Sequence, residues 1–326
     1  MSRAHELEIA VSAVRAAARV CQAVQKRMVA PETLEKKDKS PVTVADFASQ
    51  AIVCAALEES LPDDPVVGEE DSASLREDSQ AELRAGVVSH VASEQGDSLS
   101  EDTVLGWIDR GNADARSARY WTLDPIDGTK GFLRGEQYAI ALGLLEEGEV
   151  VMGLLGCPNL PLGDGVGALF TAVRGETTQV TSLWDASAPV TPVSVAAIAS
   201  PAEARFCESV ESAHSNQSES ARIAETLGIQ QEPFRIDSQC KYAAVARNDA
   251  SIYLRLPTRA DYQEKIWDHA AGSLVVECAG GRVTDADGKP LDFRHGPTLA
   301  QNQGVVATCG PIHDAVIDAV RSVRGA

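Results

Sequence analysis

The sequence lacks the signals of several large protein classes. It contains no run of about 18 apolar residues, so no transmembrane helix is predicted. The N-terminal segment also lacks the apolar region of a secretory signal peptide. No P-loop and no G-x-G-x-x-G pattern occurs, so nothing predicts binding of a nucleoside triphosphate or a dinucleotide. We therefore expect a cytoplasmic protein without a membrane partner.

Cysteine offers no structural framework either. The seven cysteines are scattered along the chain, are odd in number and include no C-x-x-C pair. This pattern argues against a zinc site and against a disulfide-based fold, and it favours a reducing compartment. Because most of the cysteines have apolar neighbours in the sequence, we expect them to be small core residues.

Basic residues are outnumbered by acidic ones. The chain has 29 Lys and Arg against 48 Asp and Glu, which gives a formal net charge of −19. Contacts with nucleic-acid phosphates need clustered basic side chains, so a nucleic-acid partner is not expected. In so acidic a protein, a substrate that carries phosphate would need a bound cation or a local basic pocket.

Length and hydrophobic patterning predict two halves. The 326 residues suit one large or two modest domains. Residues 1–185 predict an α+β half with two helices followed by largely antiparallel strands. Residues 186–326 alternate strands and helices, which predicts an α/β half; this half includes a strand at 195–200 and a helix at 202–213. The Pro- and Ser-rich segment 183–194 marks the boundary.

One acidic residue is predicted at the start of a helix. The segment TVADFASQAIVCAALEESL predicts a helix that begins after Thr43 and ends before Pro62. Thr43 is a favourable N-cap, and Asp46 follows three residues later, as in a capping box. Capping and the helix dipole alone would account for Asp46.

The stretch LDPIDGT places two aspartates close together. Pro125 restricts Asp124 to extended geometry, so Asp124 is predicted to end a strand. The following Pro-Ile-Asp-Gly segment predicts a tight turn that brings Asp127 back towards Asp124 and directs the Ile126 carbonyl the same way. Two carboxylates and a carbonyl are hard oxygen ligands of the kind that Mg²⁺ prefers, whereas Zn²⁺ would favour Cys or His. An ordinary polar turn is the alternative.

Further acids lie at two other predicted element ends. In GEEDS, Glu69, Glu70 and Asp71 follow a short apolar strand, where a solvated loop is the alternative. In IWDHAAG, Asp268 opens a predicted helix, where an N-cap is the alternative. Each signal is weak by itself. Their occurrence together in one chain favours a site for a divalent cation.

Three motifs, in this order, resemble a known family. They are GEEDS at 68–72, WTLDPIDGTKGFLRGEQYAIALGLL at 121–145 and WDHAAGSLVVECAGG at 267–281. Together they resemble the lithium-sensitive, Mg²⁺-dependent phosphomonoesterases related to inositol monophosphatase, over roughly residues 5–320. Within that family, GTKGFLRGEQYA and SQCKYAAVARNDASIYLRLP are similar to the 3'(2'),5'-bisphosphate nucleotidases.

The resemblance implies a layered αβαβα sandwich with the site between its halves. The first half would carry catalysis and most metal ligands, and the second half would add substrate contacts and one ligand. Asp46 would accept the proton and Thr129 would help to orient the attacking water. The implied ligands of two or three Mg²⁺ ions are Glu69, Asp124, the Ile126 carbonyl, Asp127 and Asp268. The implied substrate-binding residues are Asp127, Gly128, Thr129, His214, Ser238, Lys241, Arg255 and Asp268.

The activity that the resemblance implies is hydrolysis of a 3'-phosphate by metal-activated water. The expected reaction converts adenosine 3',5'-bisphosphate to AMP and phosphate, is inhibited by Li⁺ and belongs to sulfur metabolism; 3'-phosphoadenylyl sulfate is an expected second substrate. By charge, Lys241 and Arg255 are expected to bind a 5'-phosphate that is not cleaved. The expected protein is a monomer. Two alternatives remain: an inositol (poly)phosphate 1-phosphatase, and a catalytically silent phosphonucleotide sensor.

Some of these residues have other interpretations. His214 could be a surface histidine at a helix end. The spacing Ser238-x-x-Lys241 matches a motif of penicillin-recognising enzymes, but no S-D-N or K-T-G partner occurs, so nucleophilic serine chemistry is not expected. Tyr242, Tyr253 and Trp267 are expected in the core rather than as platforms for a nucleobase.

Overall fold

The computed structural model describes residues 3–27, 33–35, 41–96, 99–210, 217–257, 259 and 261–325. The α-helices in this part of the chain are α1 (Arg3–Arg27), α2 (Val44–Ser60), α3 (Ala81–Gln95), α4 (Glu101–Asp109), α5 (Thr129–Leu133), α6 (Gln217–Leu227), α7 (Cys240–Ala246), α8 (Ala270–Cys278) and α9 (His313–Arg324). Short 3₁₀ turns cover Ser74–Arg76, Asp78–Gln80 and Pro201–Glu203.

The strands in the described part form three sheets. Their bounds are β1 (Thr33–Glu35), β2 (Pro41–Thr43), β3 (Val66–Gly68), β4 (Arg119–Asp127), β5 (Ala139–Glu146), β6 (Glu149–Leu162), β7 (Gly165–Val173), β8 (Gln179–Ser182), β9 (Thr191–Pro192), β10 (Phe206–Glu208), β11 (Phe234–Arg235), β12 (Ile252–Arg255), β13 (Arg282–Thr284) and β14 (Val305–Thr308). Strands β1 and β2 pair with each other. The order is β3-β4-β5-β6-β7-β8-β9 in a seven-stranded sheet and β11-β10-β12-β14-β13 in a five-stranded sheet.

The two large sheets differ in strand direction. In the seven-stranded sheet β3 is parallel to β4, and every later pair is antiparallel, as expected for consecutive strands joined by short connections. In the five-stranded sheet β11, β10 and β12 run parallel, and β14 is antiparallel to both β12 and β13. The parallel strands of the second sheet are connected through helices α6 and α7.

Helices and sheets alternate in five layers. Helices α1 and α2 cover one face of the seven-stranded sheet, α7 and α8 lie between the two sheets, and α6 and α9 cover the outer face of the five-stranded sheet. Gly153 in β6 permits the close approach of α8, because a Cβ at this position would lie 2.7 Å from the Ala271 carbonyl oxygen. The layered αβαβα sandwich is therefore confirmed.

Two elements predicted in the second half are wrong. Residues 195–200 do not form a strand; the Val195 N–H donates to the Ala279 carbonyl at the end of α8, a single contact without a ladder. Within the predicted helix at 202–213, the described residues form the end of a 3₁₀ turn and strand β10. Strand β10 lies between β11 and β12, so pairing on both sides overrides the local helical pattern.

The cysteines lie mostly in the core, as expected from their apolar sequence neighbours. Six of the seven cysteines are buried and Cys278 is half-buried, and all seven are free. Burial raises the pKa of Cys54 to about 12, so this thiol stays protonated in the core.

Among the described residues, no helix combines the length and the apolar character needed to cross a bilayer.

A buried histidine at the start of α9 is held in its neutral form. His313 Nε2 lies 2.9 Å from Thr284 Oγ1, and its Nδ1 lies 2.9 Å from Thr308 Oγ1. The Thr284 hydroxyl donates to the Asp285 carbonyl, so it must accept from Nε2–H. Thr308 Oγ1 accepts from the Gly310 N–H and can donate its own proton to Nδ1. A second ring proton on Nδ1 would therefore face a donor.

We predict that this histidine destabilises the fold in acid. Burial lowers the pKa of His313 from 6.5 to about 4; the Arg282 charge adds to this and Asp314 opposes it. The unfolded chain binds more protons between these two values, so stability falls as pH decreases from 6.5 through 4. The effect should reach about 3 kcal/mol at most. Urea unfolding should show a weaker acid dependence for His313→Gln than for wild type, whereas the exposed-residue variant His5→Gln should behave as wild type. Equal slopes for His313→Gln and wild type would contradict the prediction.

Candidate active site

Strand β4 includes the whole DPID segment and is therefore longer than the sequence predicted. The predicted strand end at Asp124 is wrong, because β4 continues to Asp127. Asp124 pairs with Ala141 and Asp127 pairs with Ala139, so three residue steps on β4 match two on β5. This extra residue is a β-bulge at Pro125 and Ile126, where proline has no N–H for the ladder. The turn follows at Gly128, whose φ of 89° favours glycine.

The end of β3 brings another carboxylate to the same edge. Strand β3 is parallel to β4, with Gly68 paired to Leu123. The Glu69 N–H donates to the Leu123 carbonyl at 3.1 Å, so Glu69 leaves the sheet directly beside Asp124. The parallel pairing, which neighbouring sequence cannot reveal, therefore joins the GEEDS and DPID motifs.

Asp46 and Thr129 meet as the sequence resemblance implied. Asp46 is buried at the start of α2, where its Oδ2 accepts from the Thr43 N–H at 2.8 Å and from the Thr43 hydroxyl at 2.6 Å. The predicted capping box is present. Asp46 Oδ1 lies 3.3 Å from Thr129 Oγ1, which also lies 3.3 Å from the Ile126 carbonyl oxygen. One carboxylate oxygen is thus held by the cap, and the other faces the Thr129 hydroxyl.

The second half of the chain contacts this turn through Ser238 and Gln239. A Cβ on Gly128 would lie 2.8 Å from the Ser238 Cβ, so the two segments touch. Ser238 has a φ of 65°, a left-handed conformation that is uncommon for serine and that often occurs at functional sites. The Gln239 N–H donates to Asp127 Oδ2. The neighbouring Lys241 is buried, with its Nζ 5.4 Å from the Tyr253 ring centroid.

Arg255 and Asp268 lie together at the other side of the site. Arg255 Nη2 is 3.6 Å from Asp268 Oδ2 and donates to the Tyr262 hydroxyl at 3.1 Å. Arg255 Nε is 2.8 Å from Glu264 Oε2, which also lies 3.1 Å from His269 Nε2. Asp268 is not the N-cap of α8, because that position belongs to His269. The capping explanation for Asp268 is therefore wrong.

Two acids and a histidine beside one another could also suggest a metal site at a different place. One potential ligand atom from each of Glu264, Asp268 and His269 lies within 4.8 Å of the others. Glu264 Oε2 already contacts the Arg255 guanidinium and the His269 ring, and His269 Nδ1 lies 2.7 Å from the Tyr242 hydroxyl. We therefore interpret this group as a buried ion-pair network that orients Arg255.

The charges show that carboxylates from both halves share one site. Burial raises the pKa of Asp268 to about 7; Arg255 opposes this, and the nearby charges of Asp127 and Glu69 add to it. Burial also raises the pKa of Asp127. The charges of Lys241 and Arg255 oppose this shift, and the charge of Glu69 adds to it. Burial lowers the pKa of Lys241, and Asp127 opposes that shift. Carboxylates that repel one another in a buried space, with two cations nearby, suit a divalent metal ion.

The structure therefore brings together most of the predicted residues. One group surrounds the β4 turn and a second group approaches it from the other half of the chain. The first group is Asp46, Glu69, Asp124, Ile126, Asp127, Gly128 and Thr129, and the second is Ser238, Lys241, Arg255 and Asp268. His214 lies outside the described residues.

Known proteins resemble this chain in sequence and in fold. A model of the inositol monophosphatase family matches residues 3–324. The chain is 47% identical over 339 residues to the 3'(2'),5'-bisphosphate nucleotidase of Oryza sativa, covering 98% of this chain and 94% of the relative. It is 45% identical over 351 residues to the 3'(2'),5'-bisphosphate nucleotidase of Emericella nidulans, covering 99% of both. The solved structure of the Thermotoga maritima IMPase matches with a TM-score of 0.69, 20% identity and 98% coverage of both chains.

The chain belongs to the inositol monophosphatase family. This membership confirms the resemblance that the three sequence motifs carried, including the similarity to bisphosphate nucleotidases. It also confirms that the chain is a phosphatase, and it gives the αβαβα fold independent support. Enzymes of this family generally depend on metal ions, in agreement with the oxygen-rich site.

Two buried glutamines in this family member were missed by sequence reasoning. Gln50 Nε2 donates to the carbonyls of Glu70 and, at 2.8 Å, Ile108, and its Oε1 accepts from the Glu70 N–H at 3.1 Å. It therefore fixes the main chain directly after Glu69. Gln239 likewise contacts main-chain groups on both sides of Asp268, the Trp267 carbonyl and the Gly272 N–H. A glutamine carries no periodic or motif signal of burial, so neither role could be inferred from the sequence.

We predict that Thr43 acts on catalysis beyond its cap. Thr43→Val keeps the shape but removes the hydroxyl that caps α2 and donates to Asp46. The loss of the cap should lower the free energy of unfolding by about 1 kcal/mol. Because the Asp46 carboxylate is then less firmly oriented, the rate of phosphate release should fall roughly tenfold or more. Thr43→Ser should restore both.

A matched control separates these two effects. Ser100→Ala removes the N-cap of α4, where Ser100 Oγ accepts from the Thr103 N–H at 3.1 Å, far from Asp46 in the sequence and in a different helix. It should lower stability by a similar amount while leaving the rate unchanged. If Thr43→Val also leaves the rate unchanged, Thr43 is a structural cap only.

Proposed function

We propose that the chain is a Mg²⁺-dependent 3'(2'),5'-bisphosphate nucleotidase. It would convert adenosine 3',5'-bisphosphate to AMP and phosphate, accept 3'-phosphoadenylyl sulfate, be inhibited by Li⁺ and serve sulfur metabolism as a cytoplasmic monomer. The relatives named as such nucleotidases support the substrate class. The observation that carries the proposal is the meeting of Asp127 and Asp268, from the two halves, beside the cationic groups of Lys241 and Arg255.

The donor set fits Mg²⁺. Burial raises the pKa of both Asp127 and Asp268, and the nearby Glu69 charge adds to both shifts, so a bound dication would relieve a charge excess that is built into the fold. The residues that would hold two or three ions are Glu69, Asp124, the Ile126 carbonyl, Asp127 and Asp268. When bound, such ions polarise a phosphoryl group and make water more acidic.

Asp46 and Thr129 would handle the proton of the attacking water. Asp46 Oδ2 is held by Thr43, so Oδ1 is the oxygen that faces the Thr129 hydroxyl. If the Thr129 proton points to Oδ1, lone pairs of Oγ1 remain to accept from water. The hydroxyl then orients the water; as the water attacks phosphorus, Thr129 Oγ1 takes the proton of the water and passes its own proton to Asp46 Oδ1. The arrangement needs no phospho-enzyme.

Lys241 and Arg255 would select a substrate with a second phosphate. Both are cationic groups close to Asp127, and Arg255 is kept in place by Glu264 and Asp268. A phosphate that they bind is not itself cleaved, but its binding positions the reacting ester. Ser238, beside Gly128, would add a hydroxyl contact, and we propose that His214 contributes to the same substrate site.

Phosphate release from a panel of substrates tests the proposal. The panel is adenosine 3',5'-bisphosphate, AMP, inositol 1-phosphate and fructose 1,6-bisphosphate, each with Mg²⁺ and with or without Li⁺. We expect rapid, Mg²⁺-dependent and Li⁺-sensitive release from the first compound and much slower release from the others. A strong preference for inositol 1-phosphate would instead assign an inositol phosphatase.

Asp46→Asn tests the assigned base and the sensor alternative together. Without a carboxylate to accept the proton, turnover should fall by about 10²- to 10⁴-fold, while calorimetry should still detect nucleotide binding. Asp71→Asn is the control, because Asp71 in the GEEDS motif is exposed and accepts from the Ala73 N–H within its own turn. A wild-type protein that binds the bisphosphate without releasing phosphate would be a sensor.

A further inference from the structure

Gln239 is a buried residue that contacts the segments of both Asp127 and Asp268. Its main-chain N–H donates to Asp127 Oδ2. Its side-chain Nε2 donates to the Trp267 carbonyl at 2.8 Å, and its Oε1 accepts from the Gly272 N–H at 3.1 Å. Only 2% of the residue is exposed, so water does not readily replace these partners.

The two side-chain contacts lie on either side of Asp268. Trp267 directly precedes Asp268, and Gly272 belongs to the first turn of α8. The N-cap residue of α8, His269, makes no side-chain capping bond, because its ring contacts Tyr242 and Glu264 instead. Gln239 Oε1 therefore caps α8 from a different part of the chain. Without Gln239, a helix N–H and a carbonyl flanking Asp268 would both lose their partners.

The close packing of this region leaves little room for other arrangements. A Cβ on Gly272 would lie 2.2 Å from the Tyr242 ring, so α8 is pressed against α7, which begins at the residue after Gln239. Gln239 also follows Ser238, which touches Gly128 in the β4 turn. One residue thus contacts the first-half carboxylate directly and fixes the main chain around the second-half carboxylate.

We propose that Gln239 is a positioning residue that sets the separation of Asp127 and Asp268 for metal binding. The inference rests on the proposed function, because it takes these carboxylates as ligands of Mg²⁺. Residues that orient metal ligands typically change affinity by about 10- to 100-fold when they are replaced. Gln239 does not need to touch the ion or the substrate, so its loss should act on Mg²⁺ affinity more than on the Michaelis constant for the nucleotide.

The test is calorimetric titration of Mg²⁺ into the substrate-free protein. Gln239→Met keeps the length and the main-chain N–H but removes both amide contacts. We expect its Mg²⁺ dissociation constant to rise by about 10- to 100-fold, and we expect excess Mg²⁺ to restore most of the turnover. Gln239→Asn, which is one methylene shorter and cannot span both partners, should also weaken binding, and it serves if Gln239→Met does not fold.

Asn302→Leu is the matched control. Asn302 is another buried amide with three contacts: it accepts from the Asp292 N–H at 2.7 Å and donates to Asp285 Oδ2 at 3.0 Å and to the Pro290 carbonyl at 2.9 Å. Its replacement should lower the urea midpoint as much as Gln239→Met does, but leave Mg²⁺ affinity unchanged.

The outcomes separate this inference from the proposed function. If wild type binds Mg²⁺ and Gln239→Met binds it equally well, the positioning role is overturned and the metal site stands. An equal loss of affinity in Asn302→Leu would also overturn the role, because the effect would then follow from stability alone. If wild type binds no Mg²⁺, the proposed metal site and the role of Gln239 fall together.

Discussion

Repulsion among carboxylates crowded into one half-buried site is the constraint on which the rest of this structure depends. Burial raises the pKa of Asp127 and of Asp268, and the nearby Glu69 charge adds to both shifts, yet each of the three carboxylates lies at the end of a paired or packed element. A folded chain tolerates such a group only when opposite charge is supplied nearby. Lys241 and Arg255 supply part of it, and a divalent cation would supply more. The site thus combines positions set by main-chain pairing with a charge excess that favours metal.

Contacts between the two halves of the chain bring these charged side chains together at one place. Strand pairing in the first half sets Glu69 beside the DPID bulge, and the cap of α2 sets Asp46 beside Thr129. None of these contacts involves the second half. The segment Ser238–Gln239 and the turn before α8 bring Asp268 to the same place, and β12 and α7 carry the cationic groups of Arg255 and Lys241 there.

Local sequence determined some of these features and not others. The capping box of α2 was predictable because Thr43 and Asp46 act over three residues. The continuation of β4 to Asp127 was not predictable, because pairing with β5 carries the strand through a proline that would otherwise end it. The network of Arg255 with Glu264 and His269 was also missed, since nothing in the spacing of these residues shows that they are buried together. The family motifs revealed which residues meet, but the contacts that hold them needed the fold.

A crystal structure with Mn²⁺ in place of Mg²⁺ tests the central claim most directly, because anomalous scattering locates the ion without assumptions about the ligands. We expect anomalous peaks in contact with Glu69, with the Asp124–Asp127 segment and with Asp268, so that both halves of the chain share the bound metal. A structure in which no peak lies between Glu69 and Asp127, or in which Asp268 stays paired with Arg255 and away from every ion, would contradict the account.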